Sequence, residues 1–324
     1  MELTDHGSVG KRAPRVALCW MGRPIPGGGA TIVSFEERLR AHGLLLGQDL
    51  LFESFYVEPW DQQLPAVAKS LVQKHFDAIV TTSTPLALAL QQATAVVEAE
   101  RPVRARTPII MTTDDGDCVG AGLVASLDRP AGNVTGLTSE FSRLCRKRLE
   151  LLAAVRPGLA RVAVVWNPTV PDKRLDWQET TAGAEELGIH LQSLEITEPA
   201  DIPDAFARAH AAAAEGLLTL GDGLTFRRRR QLVALAAEHR LPAIYEHRAF
   251  VDLGGLMSYG PNMLDLYANA ATYLVRVLQG ESPADLPVGR PDHFDLVVNL
   301  MTANNLSLTF PPSILADAIE GGLQ

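Results

Sequence analysis

The chain has little that could hold it together by covalent or metal cross-links. Its 324 residues include three cysteines, Cys19, Cys118 and Cys145, whose spacing matches neither a disulfide framework nor a zinc site. Cys19 lies in an apolar run and reads as a small buried side chain. Positive charge is also scarce: 29 Lys and Arg against 38 Asp and Glu give a formal net charge of -9. That balance argues against a nucleic-acid partner, whose phosphates it would repel. No apolar run reaches the ~20 residues of a membrane helix, so direct membrane insertion is not expected. Met1–Pro14 is a polar tail without the apolar segment of a secretion leader; with Met1 as the true start, it implies a cytoplasmic protein. The eight histidines are scattered, and Ser83 has no G-x-S-x-G elbow around it. Gly27-Gly28-Gly29 matches neither the dinucleotide nor the P-loop pattern and reads as a lid. No motif calls for catalysis or a cofactor.

What is present is a regular alternation of elements. Strands are expected at Arg15–Trp20, Leu50–Val57, Asp77–Thr82 and Pro108–Thr112, separated by helices at about Thr31–His42, Trp60–His75 and from Pro85. After an irregular Gly/Asp-rich stretch, with short extended pieces at Leu123–Ser126 and Val134–Thr138, Phe141–Val155 reads as a helix. The pattern then starts again, with strands at Arg161–Trp166, Ile189–Ile196, Gly216–Leu220 and Pro242–Tyr245. Helices at Leu175–Leu187, Asp201–Ala214 and Phe226–Arg240 separate these. Such alternation implies an α/β chain of two doubly wound, parallel-sheet lobes. If the strand order in each is 2-1-3-4, the loops after strands one and three face the ligand. Those loops are Met21–Ala30 and Thr82–Pro85 in one half, and Asn167–Pro171 and Gly221–Thr225 in the other.

The stretch Asp77–Leu90 shows why. A short β-branched run ends in Thr82, Ser83, Thr84 and Pro85 and passes into an Ala/Leu helix. Thr84 is expected as N-cap with Pro85 as the first helical residue, leaving backbone N–H groups for an anion. An ordinary capped turn accounts for the same residues.

Several longer motifs resemble one family. They are Gly120 to Gly136, Lys147-Arg-Leu-Glu-Leu-Leu152, Arg161-Val-Ala-Val-Val-Trp-Asn-Pro168 and Gly254-Gly-Leu-Met-Ser-Tyr-Gly-Pro261. Ala284-Asp-Leu-Pro-Val288, Asn299 and Phe310-Pro-Pro-Ser313 follow in order. Together they resemble ABC-transporter substrate-binding proteins, including members that bind tryptophan and other aromatic amino acids. The chain has Asp117-Cys118 where that family usually has Asp-Pro, and Arg23–Gly29 is unusual for it. The resemblance implies a type-I periplasmic-binding-protein fold with an interlobe cleft. The lobes would be residues 15–137 plus about 259–283, and 138–258 plus about 284–324. It also implies a small-molecule ligand, an importer's membrane permease as partner, no enzymatic activity, and a periplasmic or extracellular location.

In that setting Thr82, Ser83 and Thr84 are expected to take a ligand carboxylate, and Asp117 or Asp222 an ammonium. Asp114 and Asp115 cap a turn more naturally than they bind a metal. Trp20, Met21, Trp166, Asn167, Tyr245 and Glu246 are the remaining candidates, with Tyr259 near the return crossing. The two tryptophans end the first strand of each half, so they either line the ligand or lie one layer beneath it. Two other readings stand: an α/β enzyme using the same cleft, and a ligand-sensing core of the Lac-repressor kind, for which the stretch before Arg15 is too short to hold a helix-turn-helix.

Overall fold

The computed structural model describes residues 12–21, 29–57, 63–113 and 117–321. They form two compact units. One comprises residues up to Thr112 with Leu123–Gly136 and Tyr267–Pro287; the other comprises Thr113–Gly122, Leu137–Leu266 and residues from Val288 onward.

In the first unit, β1 (Arg15–Met21), α1 (Gly29–Ala41), β2 (Leu51–Val57), α2 (Leu64–Gln73), β3 (Ala78–Thr81), α3 (Thr84–Val97), β4 (Ile109–Met111) and β5 (Val134–Gly136) follow one another. The sheet order is β2-β1-β3-β4-β5, all parallel. Every residue of β3 and β4 is buried. That is why these strands read as unbroken apolar runs rather than alternating ones. Cys19 is buried, as its apolar context implied. Leu123–Ser126, expected to be extended, forms no strand.

The second unit begins with a 3₁₀ turn, Phe141–Leu144, that runs into α4 (Cys145–Val155). Then come β6 (Arg161–Trp166), α5 (Pro171–Leu187), β7 (His190–Glu195), α6 (Asp201–Ala211) and β8 (Gly216–Thr219). Next are α7 (Gly223–Arg227), α8 (Arg229–Glu238), β9 (Ala243–Tyr245), α9 (Arg248–Val251) and β10 (Met257–Pro261). The chain continues through α10 (Met263–Leu278), which belongs to the first unit from Tyr267 on, and returns with β11 (Phe294–Val298), α11 (Leu300–Asn305), α12 (Pro312–Leu315) and β12 (Ala318–Glu320). The sheet order is β12-β11-β10-β9-β8-β6-β7. It is parallel except where β11 runs against β10. The 2-1-3-4 order thus occurs in both units.

The second sheet is covered on both faces. Val162, Val164 and Ile244 pack with Leu149 and Leu152 of α4, while Ala163, Val165 and Tyr245 pack with Leu232, Val233 and Ala236 of α8. Successive strand residues alternate between these cores. Among the described residues no helix is long and apolar enough to cross a membrane.

Candidate functional site

In each unit the strand order selects the loops at the carboxyl ends of the central strands. In the first unit this is the β3–α3 turn. Ser83, extended at φ −153°, is the N-cap, and its Oγ accepts from the Leu86 N–H at 3.2 Å. Thr84 and Pro85 are therefore the first two helical residues, and the helix starts one place earlier than the sequence suggested. Pro85 has no N–H to give, and the Ala87 N–H goes to the Ser83 carbonyl at 3.0 Å. The backbone donors of this helix start are thus largely spent. What the turn offers an acid group is the Ser83 O–H, since a hydroxyl that accepts can still donate. Thr84 is buried and Thr82 half-buried. Trp20, also half-buried, stacks on Tyr267 with centroids 6.1 Å apart and planes 6° apart. The Met21 side chain, Asp114, Asp115 and the loop 22–28 lie outside the described residues.

In the second unit Asn167, buried at the end of β6, ties two loops together. Its Oδ1 accepts from the Thr169 N–H (3.0 Å) and hydroxyl (2.6 Å), and its Nδ2 donates to Asp222 Oδ2 at 3.1 Å. Asp222 is the N-cap of α7 in a capping box with Thr225. Both oxygens of Asp222 are therefore oriented by the protein, with lone pairs left over for a cation. This capping box also starts a helix at Gly223, before the expected Phe226, and the helical run breaks at Arg228. Asp117 is exposed, and its Oδ1 accepts from the backbone N–H groups of Val119 (3.1 Å) and Gly120 (2.8 Å).

Trp166 and Tyr245, candidates for the ligand site with core packing as the alternative, are buried side chains. Trp166 stacks on Trp177 (5.2 Å, 9°) and its indole N–H donates to Ser193 Oγ at 2.8 Å. Tyr245 is fully buried and stacks on Phe250 at 4.5 Å. Tyr245 ends β9 facing the α8 side, and the next residue, Glu246, lies just past the strand with its carboxyl beside Thr219 and Gly221.

Glu246 belongs to a group of buried polar side chains that includes Arg148 and Lys173. Glu246 is 2% exposed and its Oε2 accepts from the Thr219 hydroxyl at 2.9 Å. Two glycines leave room for it. A Cβ on Gly221 would lie 3.0 Å from the carboxyl carbon, and one on Gly260 would lie 2.1 Å from the Glu246 carbonyl oxygen. Arg148 of α4 is 1% exposed; its Nε donates to the Tyr259 carbonyl at 2.9 Å and its guanidinium packs 5.5 Å from the Phe141 ring centroid. His247 is set edge-on to Phe141 (5.0 Å) and Phe226 (5.1 Å). Behind them Lys173 Nζ donates to Asp176 Oδ2 at 2.6 Å, and Asp176 also accepts from the Ser142 hydroxyl.

Three polar atoms of this group are buried without a protein partner: Arg148 Nη2, Glu246 Oε1 and His247 Nδ1. Native interiors seldom leave such atoms unpaired. Burial pushes the Glu246 carboxyl above the usual range, against the pull of Arg148 and Lys173. Burial, with the charges of Arg148, Lys173 and Arg229, pushes His247 down to about 3, so its ring is neutral. Burial also raises the Cys145 thiol to about 12, which leaves it unreactive at neutral pH.

Sequence reasoning named Glu246 but missed Arg148 and His247. One signal was there. Cys145, Leu149, Leu152 and Val155 form the buried stripe of α4, and Arg148 stands inside that stripe. A charge at such a position must have something to pair with. Among the described residues no group of three His, Cys, Asp or Glu could hold a metal.

The family model described as "ABC transporter substrate binding protein" matches residues 29–321. A tyrosine-binding protein of Clostridioides difficile is 27% identical over 243 residues, 75% of this chain; the match spans 66% of that relative's length. A conserved domain protein from Vibrio cholerae superposes with a TM-score of 0.83 at 26% identity, covering 96% of this chain and 100% of the other. A Streptococcus pneumoniae domain in complex with L-Trp gives 0.80 at 22% identity, covering 94% and 99%. These structures share the type-I periplasmic-binding-protein fold. Because one family model matches nearly all of the chain, this protein belongs to the ABC transporter substrate-binding protein family, which is a family of binding proteins rather than enzymes.

Proposed function

We propose that this protein is the solute-binding component of an ABC importer and that its ligand is an amino acid, with an aromatic one favoured. The observation that carries the reading is that two oppositely charged buried groups of the second unit each keep an unpartnered polar atom. Arg148 Nη2 is a buried cationic donor and Glu246 Oε1 a buried acceptor, neither with a protein partner. A zwitterion satisfies both and adds no net charge. Arg148, Lys173, Asp176 and Glu246 already balance with the carboxyls ionised, so an unpaired ion would cost more. Glu246 takes the ammonium and Arg148 the carboxylate, while Asn167 and Asp222 hold the neighbouring loops in register. In the first unit the Ser83 hydroxyl and the Trp20–Tyr267 stack are the groups offered to a ligand. The tyrosine-binding relative and the L-Trp complex support the aromatic preference. Membership of the family supports export and delivery of the ligand to a membrane permease.

A thermal-shift screen of amino acids, small carboxylates and sugars tests this. A ligand at 100 times its Kd should stabilise the protein by about 2.7 kcal/mol through mass action. One or a few amino acids should raise the melting temperature while sugars leave it unchanged. A response to sugars alone would reject the amino-acid reading, and chemical conversion of the stabilising compound would point to an enzyme.

A further inference from the structure

The second unit has another opening, at the opposite end of its sheet. Residues of α8 and α11 and the starts of β9 and β10 line a cavity of about 490 Å³. Because β9 and β10 run parallel, their first residues lie at the far end from Glu246. The volume is within the ~300–1,000 Å³ of small-molecule sites. Its walls are apolar, with Val233, Ala237, Leu253, Leu256 and Leu306 among them. Met301, 59% exposed, is a further lining residue.

Two guanidinium groups, Arg230 and Arg240, line the same cavity, and no acidic residue does. Arg240 donates one N–H to the Asn305 carbonyl at 3.1 Å. Among the described residues neither arginine has an ion-pair partner. Tyr245 also lines the cavity, fully buried and with its hydroxyl unpartnered. Its ring fits there because residue 255 is glycine: a Cβ would sit 2.7 Å from Tyr245 Cε2.

We infer that this cavity is a second ligand site, and that its ligand is a small amphipathic anion: an apolar chain or ring bearing one carboxylate. The apolar body replaces water against the leucines. The carboxylate meets the two guanidinium groups, whose planar donors suit it. A cation is repelled, and a neutral apolar molecule gains nothing from either charge. The site does not depend on the amino-acid reading, because it shares no residue with the Arg148–Glu246 group.

Octanoate serves as the probe, with octan-1-ol as its uncharged counterpart. In protein labelled with ¹³C at the methionine methyls, the Met301 signal, assigned with Met301→Leu, should shift saturably with octanoate. Octan-1-ol should bind roughly tenfold more weakly, the worth of one charge-assisted hydrogen bond. The double variant Arg230→Gln/Arg240→Gln should weaken octanoate to the level of octan-1-ol. Ala237→Phe, which fills the cavity from a helix face that tolerates bulk, should abolish the shift. The inference is overturned by an absent or non-saturating Met301 shift, by equal responses to acid and alcohol, or by a response undiminished in both variants.

Discussion

Glu246 and His247 are neighbours whose titrations push stability in opposite directions. Burial lowers the His247 pKa to about 3, from an unfolded value near 6.5. The unfolded chain therefore binds the proton first. The contribution of neutral His247 is complete above pH ~6.5 and is lost as pH falls toward the folded value, by up to ~1.4 kcal/mol per pH unit. Burial raises the Glu246 pKa instead. Its contribution is complete below the unfolded value near 4.5 and is lost as pH rises through the folded one. Urea unfolding between pH 7 and 5 separates the two. His247→Phe should flatten the loss of stability on acidification relative to the parent protein. Equal slopes would mean that the imidazole is solvated in the fold.

At the level of elements, much of the fold could be read in advance because the central strands are buried on both faces. Arg161–Trp166 is a strand with the expected bounds, and Ala78–Thr81 and Ile109–Met111 fall within the expected runs. Helix starts were harder, since they depend on which polar side chain reaches a backbone N–H. Ser83 does so rather than Thr84, and Asp222 opens α7 early, choices that no pattern of apolar residues encodes. The Arg148–Glu246 group was the least legible. Its members come from α4 and from just past the end of β9, about a hundred residues apart, and no spacing in the sequence brings them together.

One element-level contact has a clear test. Gly136 ends β5 at φ +130°, and a Cβ there would lie 2.1 Å from the Met111 carbonyl oxygen of β4. Gly136→Ala should cost on the order of 2–3 kcal/mol by strain and overpacking. Gly43→Ala, at φ +78° with nothing within 4 Å, should cost only about 1 kcal/mol of backbone preference. Chemical denaturation of the two variants compares them directly. Equal losses would show that strain alone sets the cost and that β4 and β5 yield to the added carbon.

For the whole molecule, the family model spans both units, and each unit brings its central strand ends to loops rich in oriented polar groups. Recognition of a zwitterion by the buried Arg148 and Glu246 is the central property of the proposed function. Isothermal titration with L-tyrosine and its desamino analogue, 3-(4-hydroxyphenyl)propanoate, measures that property most directly. The two differ only in the ammonium, whose hydrogen bond to a carboxylate is worth roughly 1.5–3 kcal/mol, or about 10- to 150-fold in Kd. The parent protein should prefer L-tyrosine by that factor. In Glu246→Gln the preference should disappear while the analogue's affinity holds. Equal binding of the two compounds by the parent protein, or a preference that survives in Glu246→Gln, would contradict the account.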